Sequence, residues 1–165
     1  MIIETMNNRE DISEKKREPW PIKEVMEQVY AMKLWGGRAV DFYSGSGSHD
    51  SELATPYIEV LTFFLTSFKT PITLCDLGCG DFNIGKELVK YTNKYIAVDI
   101  VSDLIERNRK KFKEDNLEFH CLDVVADDLP EGDCALLRQV LQHLSNSDVQ
   151  RIVDKLTNFK YVILT

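Results

Sequence analysis

Cysteine is scarce here and falls into no framework. Cys75, Cys79, Cys121 and Cys134 form no Cys-x-x-Cys pair, and no second cluster with histidine offers zinc spacing. A disulfide scaffold and a zinc ribbon are therefore excluded, and the reading is reduced, buried thiols in a cytoplasmic protein with no metal site. Positive charge is also short: 20 Lys and Arg face 27 Asp and Glu, a formal net charge of −7. A broad nucleic-acid footprint needs clustered cations to displace counterions, so no nucleic-acid partner is expected. The one basic run, Arg107, Arg109, Lys110, Lys111 and Lys113, reads as a solvated helix face. Long apolar runs are missing as well. Tyr57 to Phe68, the longest, is broken by Glu59 and threonines, and a bilayer span needs about 20 apolar residues, so no membrane partner is expected. Met1 to Pro19 is mostly polar and charged, unlike a signal peptide. There is no internal repeat.

What is present is an ordinary globular composition, 44% hydrophobic and 28% charged over 165 residues, enough for one domain with a real core. Residues 1 to 18 alternate charge and read as a mobile arm. Ile22, Val25, Met26 and Val29 follow helical spacing from Pro21 to about Leu34, where Gly36-Gly37 ends the helix. Asp41 to Asp50, with its run Ser44-Gly45-Ser46-Gly47-Ser48, is a loop. Thr55-Pro56 reads as the cap and first position of a helix to about Phe68, with Ile58, Leu61, Phe64, Leu65 and Phe68 inward.

From Ile72 strands and helices alternate. Strands are expected at Ile72–Asp76, Tyr95–Asp99, Leu117–Leu122, Asp133–Arg138 and Tyr161–Leu164. Helices are expected at Phe82–Tyr91, from Ser102 to about Glu114, and from a capping box at Ser147–Gln150, with Val149, Ile152, Val153 and Leu156 inward. Near-continuous apolar strands between helices mean a parallel sheet covered on both faces, an α/β doubly wound fold.

The chain is organised around Asp76-Leu77-Gly78-Cys79-Gly80, a strand end running into a glycine turn. Two glycines two apart let the backbone approach a small ligand closely. Asp76, Asp99 and Asp123 recur at nearly equal intervals at the ends of successive strands, which places all three along one crevice outside the carboxyl ends of the sheet. The wording Asp-Leu-Gly-Cys-Gly resembles the first motif of class I S-adenosylmethionine (SAM) dependent methyltransferases. That resemblance implies a Rossmann-like sheet of about five strands in the order 3-2-1-4-5. It also implies SAM as cofactor, and an N-terminal helical lid over the methionine end. Residues 19 to 70 would be the lid and residues 71 to 165 the SAM-binding core.

Under this resemblance Asp76 and the Gly78, Cys79 and Gly80 backbone lie against the methionine portion. Asp99 accepts both ribose hydroxyls, Ile100 offers an apolar surface to adenine, and Asp123, beside Val124, accepts from the adenine amino group. Phe82, where a third glycine often falls, would wall the pocket and face the sulfonium. The backbone of Arg138 and Gln139 would contact the ammonium and border the acceptor. His143 follows in the His-Leu pair of small-molecule methyltransferases and is the candidate general base; His49 in the lid is a weaker one.

The acceptor is read as a small molecule or glycan-like group. A non-catalytic SAM- or nucleoside-binding module is the alternative. An NAD-dependent oxidoreductase is a third reading, and it wants a third glycine where Asn83 stands. The family sheet usually adds an antiparallel hairpin beyond strand five, whereas here the sequence stops at Thr165. The expectation is a truncated core or a homodimer that covers the strand-five edge.

Overall fold

The computed structural model describes residues 20–37 and 39–165, so the arm expected over residues 1 to 18 lies outside the described residues. Five parallel strands form one sheet: β1 (Thr73–Leu77), β2 (Lys94–Asp99), β3 (Leu117–Cys121), β4 (Cys134–Leu137) and β5 (Tyr161–Leu164), in the order β3-β2-β1-β4-β5. The expected fold class and strand order are both found. The chain enters at β1, winds outward to β3, then crosses back to lay β4 beside β1. That reversal opens a crevice at the carboxyl ends of β1 and β4, where Asp76 stands opposite Leu136.

Period-two alternation explains why these strands read as unbroken apolar runs. Leu74, Tyr95, Ala97, Cys134 and Leu136 face one side, packed with Leu61 and Leu65 of α3 (Ser51–Thr66) and Leu88 of α4 (Gly85–Leu88). Cys75, Leu77, Ile96, Val98, Ala135 and Leu137 face the other, against Ile152 and Leu156 of α6 (Asn146–Leu156). Both faces are dry, so both parities must be apolar. Tyr30 of α1 (Ile22–Ala31) joins Val101 and Leu104 in a third cluster, Leu104 belonging to α5 (Ser102–Lys111). Among the described residues no helix is long and apolar enough to cross a membrane.

Local expectations fail where side chains redirect the backbone. The cap of α3 is Asp50, whose Oδ1 accepts from Glu52 N at 2.9 Å. The helix therefore starts before Thr55, with Pro56 inside it, and Ser46–His49 within the expected loop forms a one-turn helix, α2. Ser102 gives no side-chain cap to α5. Ser145, not Ser147, caps α6, its Oγ accepting from Asp148 N at 3.2 Å, and Val153 is 40% exposed rather than inward. Cys121 is exposed, so the thiols are not uniformly buried.

Phe82 is the largest departure. Its φ is +65°, a left-handed value, and the expected long helix shrinks to α4 plus a 3-10 turn at Val89–Tyr91. The ring is fully buried and meets Tyr95, Phe112 and Phe119 at centroid distances of 5.4, 5.0 and 4.9 Å. It lies against Gly85, where an added Cβ would fall 2.2 Å from a ring carbon. Gly85→Ala gains helix propensity worth about 1 kcal/mol but overpacks the core. Net destabilisation of about 1–3 kcal/mol is expected in urea unfolding. An unchanged midpoint would refute this packing.

Candidate functional site

A cavity of ≈ 420 Å³ opens at the carboxyl ends of β1, β2 and β4, within the range of about 300–1,000 Å³ usual for small-molecule sites. Asp76, Gly78, Cys79, Gly80, Asp99, Ile100, Asp123, Val124, Arg138, Gln139 and His143 all line it. Phe82 does not, and its expected place on the pocket wall is corrected to the core beneath the turn. A left-handed residue with a large side chain turns that side chain away from the crevice that its glycine neighbours border.

The turn after β1 is held by hydrogen bonds before any ligand arrives. Gly78 N and Cys79 N both donate to the Val98 carbonyl at 2.8 Å. Gly80 N donates to Asp99 Oδ2 at 3.0 Å, and Val101 N to Asp99 Oδ1 at 3.1 Å. Asn108 Nδ2 donates to the Gly80 carbonyl at 2.8 Å. Gly78 and Gly80 have φ of +92° and +56°. A Cβ on Gly78 would lie 2.4 Å from Val140 Cγ2, and one on Gly80 2.3 Å from Ser44 Oγ. Both glycines are therefore required by conformation and by close approach.

The three carboxyl groups have different surroundings. Asp76 is buried and accepts from the Tyr95 hydroxyl at 2.8 Å. Burial pushes its pKa up to about 7, against the Tyr95 hydrogen bond and the nearby Arg138 charge, which pull it down. Burial also raises Asp99, opposed by the backbone N–H groups that it accepts from. Asp123 is half-buried, its Oδ1 accepting from Val125 N at 2.8 Å and Ala126 N at 3.3 Å. Each Asp99 oxygen keeps a second lone pair beyond its backbone partner, as a diol requires. The Cys79 thiol is pushed well up by burial and is not a thiolate. Partial burial lowers His143, which leaves a neutral imidazole near pH 7. Its ring lies 5.5 Å from that of Trp35 at the cavity mouth.

Sequence reasoning missed how the N-terminal segment is attached. The loop Ser44–His49 straps across the crevice and is tied on both sides. On the β1 side Asp81 is buried, and its Oδ2 accepts from Ser44 N at 3.0 Å and contacts His49 Nε2 at 2.5 Å. Asp81 N donates to Ser44 Oγ at 2.7 Å, and Asn83 Nδ2 donates to the Ser48 carbonyl at 2.7 Å. On the β4 side Arg138 donates to Ser48 Oγ at 3.2 Å and to the Gly47 carbonyl. Tyr43 stacks on His49 at 4.3 Å. His49 does not line the cavity, so it is a strap residue rather than a base. The available signal was an acid directly after Gly80 together with a histidine closing a Ser-Gly run. The Gln139 backbone N–H is engaged too, donating to the Thr165 carbonyl at 2.8 Å.

A 3-2-1-4-5 parallel sheet, a glycine turn after β1 and acids ending successive strands define the class I methyltransferase fold. The methyltransferase-domain family profile matches residues 74–159, and the chain belongs to that family. Among solved structures it is similar to magnesium protoporphyrin IX methyltransferase from Synechocystis PCC 6803 with bound SAM. That pair is 14% identical with a TM-score of 0.67, covering 89% of this chain and 76% of that one. Human N-acetylserotonin methyltransferase in complex with SAM is 21% identical with a TM-score of 0.56, covering 87% of this chain and 41% of that one. The N-methyltransferase NodS from Bradyrhizobium japonicum WM9, in complex with S-adenosylhomocysteine (SAH), is 14% identical with a TM-score of 0.54. There the coverage is 64% of this chain and 55% of that one. At these identities the likeness is one of fold. No curated protein sequence matches the chain.

The strap gives a direct test. His49→Ala leaves Asp81 buried without its imidazole partner, and a loss of about 1–2 kcal/mol is expected, since the histidine is partly exposed. Amide hydrogen exchange over Ser44–Ser48 should quicken. Zero coupling in a His49→Ala, Asp81→Asn double-mutant cycle would show that the contact holds nothing.

Proposed function

We propose that this chain binds SAM in the cavity and transfers its methyl group to a small-molecule acceptor, with residues 19 to 70 as the lid and residues 71 to 165 as the donor-binding core. The observation that carries the reading is the meeting of Asp76, Asp99 and Asp123 with the Gly78–Gly80 turn on one cavity wall. The wall fits the donor chemically: carboxyl groups suit its cationic methionine end and its ribose hydroxyls, and the glycine turn admits close approach. A dinucleotide fits less well. Asn83, at the third glycine position, has its amide engaged by the Ser48 carbonyl rather than opening room for a pyrophosphate.

When bound, SAM supplies an electrophilic methyl group on a positively charged sulfur. The protein's part is positioning and exclusion of water. The Gly78–Gly80 backbone and Asp76 hold the methionine portion, Asp99 the ribose, and Ile100, Asp123 and Val124 the adenine. The strap closes over the methionine side. His143, neutral and at the mouth, takes the proton of a hydroxyl acceptor as the oxygen attacks; an amine acceptor needs no such base.

Calorimetry with SAM, SAH and NAD side by side tests the reading: the first two should bind and the third should not. Asp99→Asn keeps the shape of the side chain and removes its charge. SAM affinity should fall about 10- to 100-fold, and equal affinity in a folded variant would remove the ribose role.

Asp76 adds a pH signature. Its folded pKa of about 7 lies above the ordinary carboxylate value of about 3.9. The folded chain then holds a proton that the unfolded chain releases, so this contribution to stability is complete below about pH 4 and is lost as pH rises through 7. Affinity for the cationic donor should move the opposite way and rise between about pH 6 and 8 as Asp76 ionises. Asp76→Asn should flatten both profiles. Parallel profiles in variant and wild type would assign the titration elsewhere.

A further inference from the structure

The cavity has two unlike walls. Its charged side chains, Asp76, Asp99, Asp123 and Arg138, all belong to the strand-end side, and the donor takes up the three acids. The opposite wall comes from the N-terminal segment, and among the described residues it carries no charge. Ile22, Met26 and Tyr30 line it as one row of α1, and Trp35 and Leu53 line it as well. The hydroxyls of Tyr30, Ser44 and Ser48 are already engaged. Tyr30 meets Ser44 Oγ at 3.0 Å, Ser44 Oγ also accepts from Asp81 N at 2.7 Å, and Ser48 Oγ accepts from Arg138 at 3.2 Å. A glycan carries hydroxyls all round its rings, and against this wall most of them would lose their partners.

Trp35 is half-buried and packs edge to face on Tyr30, with ring centroids 5.3 Å apart at 79°. Its other neighbour is His143 after β4, 5.5 Å away with the ring planes tilted by 37°. A flat apolar body can lie along Trp35, bury the exposed Leu53, touch the pliable Met26 and still bring an edge group to the imidazole. His143 decides what that edge group is. Its Nε2 lies 3.4 Å from the Gln142 side-chain amide, and among the described residues no carboxylate pairs with it. An imidazole with no acid to steady its protonated form is a modest base. It suits a phenolic hydroxyl, with a pKa of about 10 like that of tyrosine, far better than an aliphatic alcohol. We propose that the acceptor is an uncharged aromatic hydroxyl compound whose ring lies against Trp35 and whose hydroxyl meets His143, with Leu53 at the rim. The proposal rests on the reading of the cavity as a SAM site and names the acceptor class of that site. In the transfer the aryl oxygen bonds to the methyl carbon, and the carbon–sulfur bond breaks with its electron pair going to sulfur. The hydroxyl proton passes to His143 and then to water, leaving SAH and an aryl methyl ether.

Calorimetry on the full chain saturated with SAH tests this at neutral pH with naphthol and three relatives. Hydroxynaphthoate adds a carboxylate, decalol keeps the paired rings but saturates them, and methyl glucoside stands for a glycan. Naphthol should bind about tenfold more tightly than each of the others, and labelled SAM should convert it to its methyl ether. In Trp35→Leu the margin of naphthol over decalol should shrink to within about threefold while SAH affinity is kept. Leu53→Lys sets a cation at the rim and should raise hydroxynaphthoate relative to naphthol by about three- to tenfold. Leu53 is exposed, so this variant carries the comparison if circular dichroism shows that Trp35→Leu does not fold.

Decalol or hydroxynaphthoate bound as tightly as naphthol would overturn the acceptor class. Methyl glucoside bound best would give the site to a glycan and overturn it too, as would naphthol that binds but receives no methyl group. An unaltered naphthol margin in folded Trp35→Leu, or equal loss of SAH and naphthol there, would remove Trp35 from the acceptor and with it the proposal. An unshifted hydroxynaphthoate ratio in Leu53→Lys would do the same for the rim. SAH titrated alone keeps the two readings apart. A wild-type chain that does not bind SAH rejects the donor site, whereas one that binds SAH and not naphthol rejects the acceptor class only.

Discussion

The hydrogen bond from Gly80 N to the buried Asp99 carboxylate is the contact on which the site depends. It joins the turn after β1 to the end of β2, across two strands that neighbour in the sheet but are separated by a helix in the chain. The Val98 carbonyl accepts from Gly78 N and Cys79 N, and Asn108 of α5 donates to the Gly80 carbonyl. Every one of these partners comes from β2 or α5. The left-handed turn is thereby fixed before a ligand enters, and ordering it is not charged to binding. Asp99 is consequently structural on one lone pair of each oxygen and available to a ligand on the other.

Electrostatics set the cost of this arrangement. Three carboxyl groups share a cavity wall, and burial raises both Asp76 and Asp99. Taking Asp76 and Asp99 out of water costs stability, which is how functional sites trade stability for affinity. Arg138 moderates the field at one end only, next to Asp76. A cationic ligand bound beside Asp76 would offset part of that cost, and its binding would stabilise the fold in turn.

The sheet was legible in the sequence because its central strands are buried on both faces and read as apolar runs of strand length, and the first three strands lead to an acid. The order of the strands came through resemblance to a family rather than through periodicity, and the residues brought to the cavity followed from it. Other features were hidden for identifiable reasons. Thr55-Pro56 looks like a helix start, but the Asp50 side chain reaches Glu52 N first and wins the cap. His49 and Asp81 lie on different elements, and nothing local marks two distant residues as partners. Arg138 was read for its backbone, because a side chain that reaches back to a loop far up the chain leaves no spacing signature.

Phe82 shows how a departure from a family pattern can be internally consistent. A left-handed φ at a residue with a Cβ costs about 1–2 kcal/mol, which is why glycine is common at such a point. Here the ring is wholly buried among Tyr95, Phe112 and Phe119, and burying an aromatic side chain is worth about 1.5–3 kcal/mol before the edge-to-face contacts are counted. Gly85 supplies the room, and α4 starts late because the backbone at Phe82 has already turned the wrong way for a helix. The residue that could have widened the pocket instead anchors the ligand turn to the core from below. Asp99 holds that turn from the side and the strap holds it from above, so a donor entering the cavity meets a backbone with no slack in any of the three directions.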